Sequence, residues 1–212
     1  MLTIYGVHRS RALRALWLAR ELNLEFRHVP VIQAYKLDDP HTADAPLNTH
    51  SPQFRAVNPN RHIPSIDDDG LVLHESMAIN LYLARKHGGE LAPADPAEDA
   101  LMTMWSFWAI TEVEGQALAI QSNAGKNQEK VDAAVTALRA PFAVLDHALA
   151  ADGHVVGGRF TVADINVAEA VRYASAASSL FDEAPQVKAW LAACHRRSAF
   201  NDVWARREAE PI

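Results

Sequence analysis

Asn58-Pro59-Asn60-Arg61-His62-Ile63-Pro64-Ser65-Ile66-Asp67-Asp68-Asp69-Gly70-Leu71-Val72-Leu73-His74-Glu75-Ser76-Met77-Ala78-Ile79 carries, in order, a proline-marked turn, two short apolar runs and the start of a helix. Ile63-Pro64-Ser65-Ile66 and Leu71-Val72-Leu73 flank Asp67-Asp68-Asp69-Gly70, which predicts a β-hairpin with the glycine at positive φ. From Ser76 to His87 the residues Met77, Ile79, Leu81, Tyr82 and Leu83 keep helical spacing, and Gly88-Gly89 stops the helix. Proline has no N–H for a central strand, so Pro64 belongs at a strand's first residue. A cis bond there would turn the Ile63 N–H and C=O outward, ready to receive an extended peptide as one more strand; a plain turn is the simpler alternative. Glu75 and Ser76 stand where strand gives way to helix. Glu75 offers charge to an ammonium, and Ser76 offers a hydroxyl and helix N-terminal N–H groups to a carboxylate. Together they suit the two charged ends of an amino acid, unless Ser76 merely caps the helix.

Working outward, Leu2-Thr3-Ile4-Tyr5 predicts a strand, and Ser10 opens a helix whose Ala12, Leu13, Leu16, Trp17 and Ala19 repeat at helical spacing to about Leu22. Glu25 to Val31 reads as a second strand, completing a βαβ unit. Residues 33 to 60 hold Pro40, Pro46, Pro52 and Pro59 and are expected to form a long binding loop. After the hairpin and its helix, strand patterns vanish. Domains are therefore expected at 1–88 and 97–212, joined by a proline-punctuated linker at 89–96. Helices are expected over residues 97 to about 124, 128 to 151, 161 to 178, 185 to 197 and around 199 to 209. Thr161-Val162-Ala163-Asp164 has the form of a capping box with Asp in place of Glu, so Asp164 is assigned a structural role and Phe160 is expected to staple onto Ile165.

Composition narrows the function. The 212 residues are 49% apolar and 22% charged, a globular profile, and the formal net charge of −6 with no Lys/Arg run disfavours nucleic acid or anionic membrane as partner. No apolar run reaches the roughly 18 residues of a membrane span and no basic leader precedes an apolar stretch at Met1, so a cytoplasmic location is expected. The one cysteine, Cys194, excludes an internal disulfide and reads as a small core residue. No His-Glu-x-x-His pattern, dinucleotide fingerprint or P-loop occurs, so neither metal nor nucleotide is expected; His41 and His50 share a loop without ligand spacing. No Gly-x-Ser-x-Gly elbow is present either.

The order βαβ, loop, Asn58-Pro59-Asn60-Arg61-His62-Ile63-Pro64, hairpin, Glu75-Ser76-Met77-Ala78-Ile79 and then an all-helical half resembles the cytosolic glutathione S-transferases over nearly the whole chain. Thr161 to Asp164 resembles the capping box of that family's sixth helix. The resemblance implies an α/β plus all-α fold, with a thioredoxin-like βαβ-ββα domain followed by a helical one that carries the acceptor-substrate pocket. It implies that His62 and Ile63, with Pro64 behind them, bind the cysteinyl backbone of glutathione, and that Glu75 and Ser76 bind its γ-glutamyl group. Trp105-Ser106-Phe107-Trp108-Ala109-Ile110-Thr111-Glu112 resembles the fourth helix of bacterial members. Trp105, Trp108, Thr111 and Glu112 are accordingly candidates for the substrate pocket, with helix-packing core as the alternative for the two tryptophans. A homodimer is also implied.

At the catalytic position the chain departs from the family pattern. The hydroxyl slot of the serine-type classes falls on Val7, which cannot donate; no cysteine lies near it, and Tyr5 falls inside the first strand. Ser10 is the closest hydroxyl. It opens a helix whose N–H ends favour an anion, so a thiol of pKa near 8.5 could ionise there at about neutral pH, helped by Arg9 or Arg11. Backbone donors alone are the alternative. The expected activity is attack of the glutathione thiolate on a small hydrophobic electrophile lodged toward the Trp105/Trp108 face. Glutathione-dependent peroxidase or disulfide reductase activity, or a ligand-binding protein without catalysis, are the rivals.

Overall fold

The computed structural model describes residues 1–210. Its first unit contains a four-stranded mixed sheet in the order β2-β1-β3-β4, built from β1 (Leu2–Tyr5), β2 (Phe26–Val29), β3 (Ser65–Asp68) and β4 (Leu71–His74). β1 runs parallel to β2, with Ile4 opposite His28, and antiparallel to β3, with Ile4 opposite Ile66. The parallel pair requires a crossover, which α1 (Ala12–Glu21) supplies. Ile4 and Ile66 are fully buried in the centre of the sheet. The β3–β4 turn places both Asp69 and Gly70 at positive φ, as a two-residue hairpin of the right-handed twist needs, and Asp67 Oδ1 accepts from Gly70 N–H at 2.8 Å.

β2 is shorter than the expected strand, and the stretch from 33 to 60 contains more order than a loop. A 3₁₀ turn spans Ala34–Lys36, and α2 (Pro52–Val57) starts with Pro52 in its first turn, where the missing N–H costs nothing. Asn48 organises the intervening chain. Its side-chain amide donates to the Pro40 and Pro46 carbonyls at 3.0 and 2.9 Å, and its Oδ1 accepts from His50 N–H at 2.9 Å. α3 spans Ser76–His87, and Gly88 and Gly89 behind it both adopt positive φ.

The second unit, His87–Arg197, is helical. It comprises α4 (Pro96–Trp108), a π-helix (Ala109–Glu114), α5 (Gly115–Asn123), α6 (Gln128–Asp152), α7 (Val162–Val171), α8 (Ser178–Glu183) and α9 (Pro185–His195). The last helix, α10 (Ser198–Ala209), groups with the first unit, whereas chain order alone placed it in the second. The reason lies in α1. Every residue from Ala12 to Ala19 is buried, so α1 needs cover beyond the sheet. α10 supplies it: the Phe200 ring meets the Trp17 ring edge-on at 4.9 Å, Val203 is buried, and Asp202 pairs with Arg20 at 3.2 Å.

α6 has the length and mean hydropathy, 1.2, of a membrane span. Its buried residues, Val131, Val135, Leu138, Phe142, Leu145 and Leu149, recur on one face, and Arg139 and Asp146 lie on the same helix, the pattern of a helix packed on a protein core.

The capping box at α7 forms as expected, and its acid does more than cap. Asp164 is wholly buried and accepts from Thr161 N–H at 2.8 Å, from Val155 N–H at 3.2 Å and from Trp190 Nε1 at 2.8 Å. Replacing Asp164 with Ala strands these buried donors, and urea unfolding is expected to show a loss of about 3–5 kcal/mol. His195, half-buried, is a second group of consequence. Burial pushes its pKa down to about 4, against the pull of Glu169 and with the help of Arg172. It folds neutral, so its contribution is complete above the ordinary value of 6.5 and is lost as pH falls toward 4. Stability measured against pH is expected to drop less steeply over that window in His195→Gln than in the parent chain.

Candidate functional site

Three stretches singled out in the sequence meet around the first turns of α1. Gly6 ends β1 at φ +138°, and a Cβ built there would stand 2.7 Å from Ala12 Cβ and 3.3 Å from Ile63 Cβ. Only glycine allows the backbone before α1 to approach Ile63 this closely. Ser10 follows, half-buried at the mouth of α1. Its Oγ donates to the Val7 carbonyl at 2.6 Å and accepts from Ala12 N–H at 3.0 Å. Ser10 was expected to open the helix; the capping position is instead Arg11, and Ser10 lies one residue before it, its single proton given to Val7.

The Ile63–Pro64 bond is cis. Asn58, buried, holds this turn from within: Nδ2 donates to the His62 carbonyl at 2.8 Å and to Ser65 Oγ at 3.1 Å, while Oδ1 accepts from Asn60 N–H at 2.9 Å. Ile63 is half-buried, and among the described residues its N–H and C=O take no main-chain partner. His62 is exposed and Pro64 buried. Unpaired backbone groups beside a sheet are the requirement for a peptide to add itself as a strand.

Glu75 is exposed and adopts φ +68°, a conformation costly for a side chain of its size and of the kind that persists where the surroundings hold it. It swings α3 into place with Ser76 buried at its start. Arg14 Nη1, on α1, donates to Ser76 Oγ at 2.9 Å, and Asn80 Nδ2 donates to the Arg14 carbonyl at 3.3 Å. A hydroxyl has one proton and two lone pairs. With a lone pair taken by Arg14, the Ser76 hydroxyl keeps a proton to donate, and among the described residues it donates to none. Arg14 went unnoticed in the sequence. A charged residue among Ala12, Leu13, Ala15 and Leu16 was the available signal, since a charge on a wholly buried helix must be held by a partner.

The residues expected to line a substrate pocket lie in the second unit. Trp105 is 9% exposed and packs edge-on against Trp108 at 4.9 Å, so Trp105 belongs to the helical core while Trp108 is half-buried. The next turn is π-helical, which shifts Thr111 and Glu112 to the exterior and buries Val113 and Glu114. Such insertions recur at functional sites. Ser106 anchors this helix to α7, accepting from Asn166 Nδ2 at 2.9 Å.

A thioredoxin-like α/β unit that gathers an unpaired strand edge, a strained acid and a helix mouth, followed by an all-helical unit, defines the class. The glutathione S-transferase N-terminal domain model matches residues 9–86 and the C-terminal domain model residues 100–198. Glutathione S-transferase 3 of Zea mays is 31% identical over 96% of this chain and 93% of its own length, and glutathione S-transferase GstB of Escherichia coli K12 is 27% identical over 96% and 97%. Among solved structures, the theta class enzyme of the citrus canker pathogen Xanthomonas axonopodis pv. citri, with glutathione bound, is 29% identical with a TM-score of 0.76 over 95% of each chain. The chain belongs to the glutathione S-transferase family.

Gly6→Ala tests the close approach that assembles the site. The added methyl meets Ala12 in a backbone conformation unsuited to a side chain, and a loss of about 2–4 kcal/mol is expected in denaturant unfolding.

Proposed function

We propose that this protein is a glutathione transferase that ionises the glutathione thiol and directs it at a small hydrophobic electrophile. The observation that carries the reading is the set of unspent polar groups around α1: the Ile63 N–H and C=O, the Ser76 proton and the exposed Glu75 carboxylate. They match, group for group, a peptide backbone, a carboxylate and an ammonium. Glutathione lies along Ile63 and Pro64 beside His62, with its γ-glutamyl end on Glu75 and Ser76. Its sulfur sits at the mouth of α1, where the helix end favours the anion. The thiolate forms a carbon–sulfur bond and the leaving group departs with the displaced electron pair. Catalysis comes from thiolate population and proximity.

Arg14 acts here as a positioning residue, because it fixes the Ser76 oxygen and adds positive potential behind the carboxylate site. The helical unit is assigned the electrophile through Trp108, Thr111 and Glu112, with Trp105 as their support. The exposed Leu101, Met104, Phe107 and Ile110 recur every third residue along α4 and the π-helix and favour a homodimer. Its place is the cytosol, where thiols are kept reduced.

One observation favours a rival. Val7 fills the expected hydroxyl slot and the Ser10 proton is held by the Val7 carbonyl, so a protein that binds glutathione without turnover, or that passes the thiolate to a peroxide or disulfide, is the second reading. A conjugation assay with a chloronitrobenzene, after retention on immobilised glutathione, separates them; retention without turnover favours the carrier. In the enzyme, Ser10→Ala removes the oxygen that ties Val7 to the Ala12 N–H and so loosens the mouth of α1; it is expected to raise the bound thiol pKa by about one unit and cut turnover about tenfold near neutral pH. An unchanged rate and pKa would assign thiolate stabilisation to the backbone. Arg14→Met and Ser76→Ala are each expected to raise the KM for glutathione about tenfold, while the double variant does little further harm, since both remove one interaction. Phe107→Glu is expected to shift sedimentation from dimer to monomer.

A further inference from the structure

α10 covers α1, but the residue just beyond it reaches further. The Glu210 carboxylate lies against the loop between β1 and α1. Oε1 accepts from His8 N–H at 2.8 Å and stands 2.7 Å from His8 Nδ1, and Oε2 accepts from Arg9 N–H at 3.0 Å. Arg9 returns the contact, its Nε donating to the Glu210 carbonyl at 3.2 Å and Nη2 to the Glu208 carbonyl at 3.2 Å. The His8 ring is buried edge-on against His28 at 4.9 Å, and His28 Nε2 lies 2.7 Å from the Gly6 carbonyl.

Loop N–H groups shielded from water must be satisfied, and here two consecutive ones are taken by a single carboxylate two hundred residues away. Because one rigid acceptor holds two neighbouring peptide planes, it sets the direction in which the next residue, Ser10, enters α1. Two further ties on this stretch, Gln33 Nε2 to the Arg9 carbonyl at 3.4 Å and Ser10 Oγ to the Val7 carbonyl, are neutral hydrogen bonds. Charge-assisted bonds are about twice as strong. The Glu210 carboxyl stays ionised: burial opposes its charge, but the bonds from the His8 ring and from the His8 and Arg9 N–H groups outweigh burial and hold its pKa below the ordinary glutamate value.

We propose that Glu210 is a positioning residue for the thiolate site, clamping the His8–Arg9 main chain so that Ser10 and the mouth of α1 face the glutathione sulfur. The inference rests on the glutathione reading above. The clamp touches neither Glu75, Ser76 nor Ile63, so it acts on the sulfur end of the site and leaves the γ-glutamyl end alone.

The test uses the full chain with Glu210→Ala and Glu210→Gln, and Glu208→Gln as control, since among the described residues the Glu208 carboxylate pairs with Arg207. Three quantities are read: hydrogen exchange at the His8 and Arg9 amides, the ultraviolet absorbance of bound glutathione thiolate against pH, and kcat with KM. Both Glu210 variants are expected to exchange those amides about tenfold faster, to move the bound thiol pKa toward that of free glutathione, and to lose about tenfold in kcat with KM for glutathione changed less than about twofold. Glu208→Gln is expected to match the parent chain. Faster exchange with unaltered thiol pKa and kcat would reduce Glu210 to a merely structural tie and overturn the proposal, as would unaltered exchange. A parent chain that shows no thiolate band on addition of glutathione would bring down the glutathione reading itself, a failure visible before any variant is made.

Discussion

The buried guanidinium of Arg14 is the constraint around which the first unit is arranged. A charge removed from water among the buried residues Ala12 to Ala19 must find polar partners, and stranding a buried polar group costs about 1–3 kcal/mol, more for a charged one. Arg14 finds Ser76, at the start of another helix, and that contact fixes α3 against α1. α3 begins where β4 ends, so this contact lies next to the turn at Glu75, which adopts positive φ. Ile63, close against Gly6, completes the arrangement from the other side. One helix thereby serves as the common reference for every group assigned to glutathione.

The site is made largely of what the fold leaves unpaired. Helix and sheet formation satisfies most main-chain groups; the Ile63 N–H and C=O before β3, which take no main-chain partner among the described residues, are groups a peptide can use. Side chains supply only the charged ends. In the site proposed above, this division lets the chain lack a hydroxyl at position 7, since recognition and thiolate stabilisation draw on different atoms. It also explains why the loop from Val7 to Ser10 needs external support, being bound to the sheet by few bonds of its own.

The helical unit follows a different logic. Asp164 draws together the start of α7, the Val155 segment and the Trp190 side chain, so one carboxylate organises three parts of the chain. Against that rigid centre the π-helix is the irregular feature, and its extra residue per turn is what brings Thr111 and Glu112 to the exterior next to the apolar stripe of α4.

The amino-acid sequence determined what depends on neighbours in the chain. The hairpin follows from Asp69-Gly70, a turn from Ile63-Pro64, the bounds of α3 from Ser76 and Gly88-Gly89, and the α7 cap from Thr161 and Asp164, because turn, cap and periodicity are set within a few residues. Only the tertiary structure decided what joins distant segments: that Arg14 holds Ser76, that α10 packs on α1, that Ser10 spends its proton on Val7, and that Glu210 grips His8 and Arg9. These pairings turn on which buried charges and unpaired N–H groups meet once the chain is compact, and no local pattern records a meeting between residues two hundred positions apart.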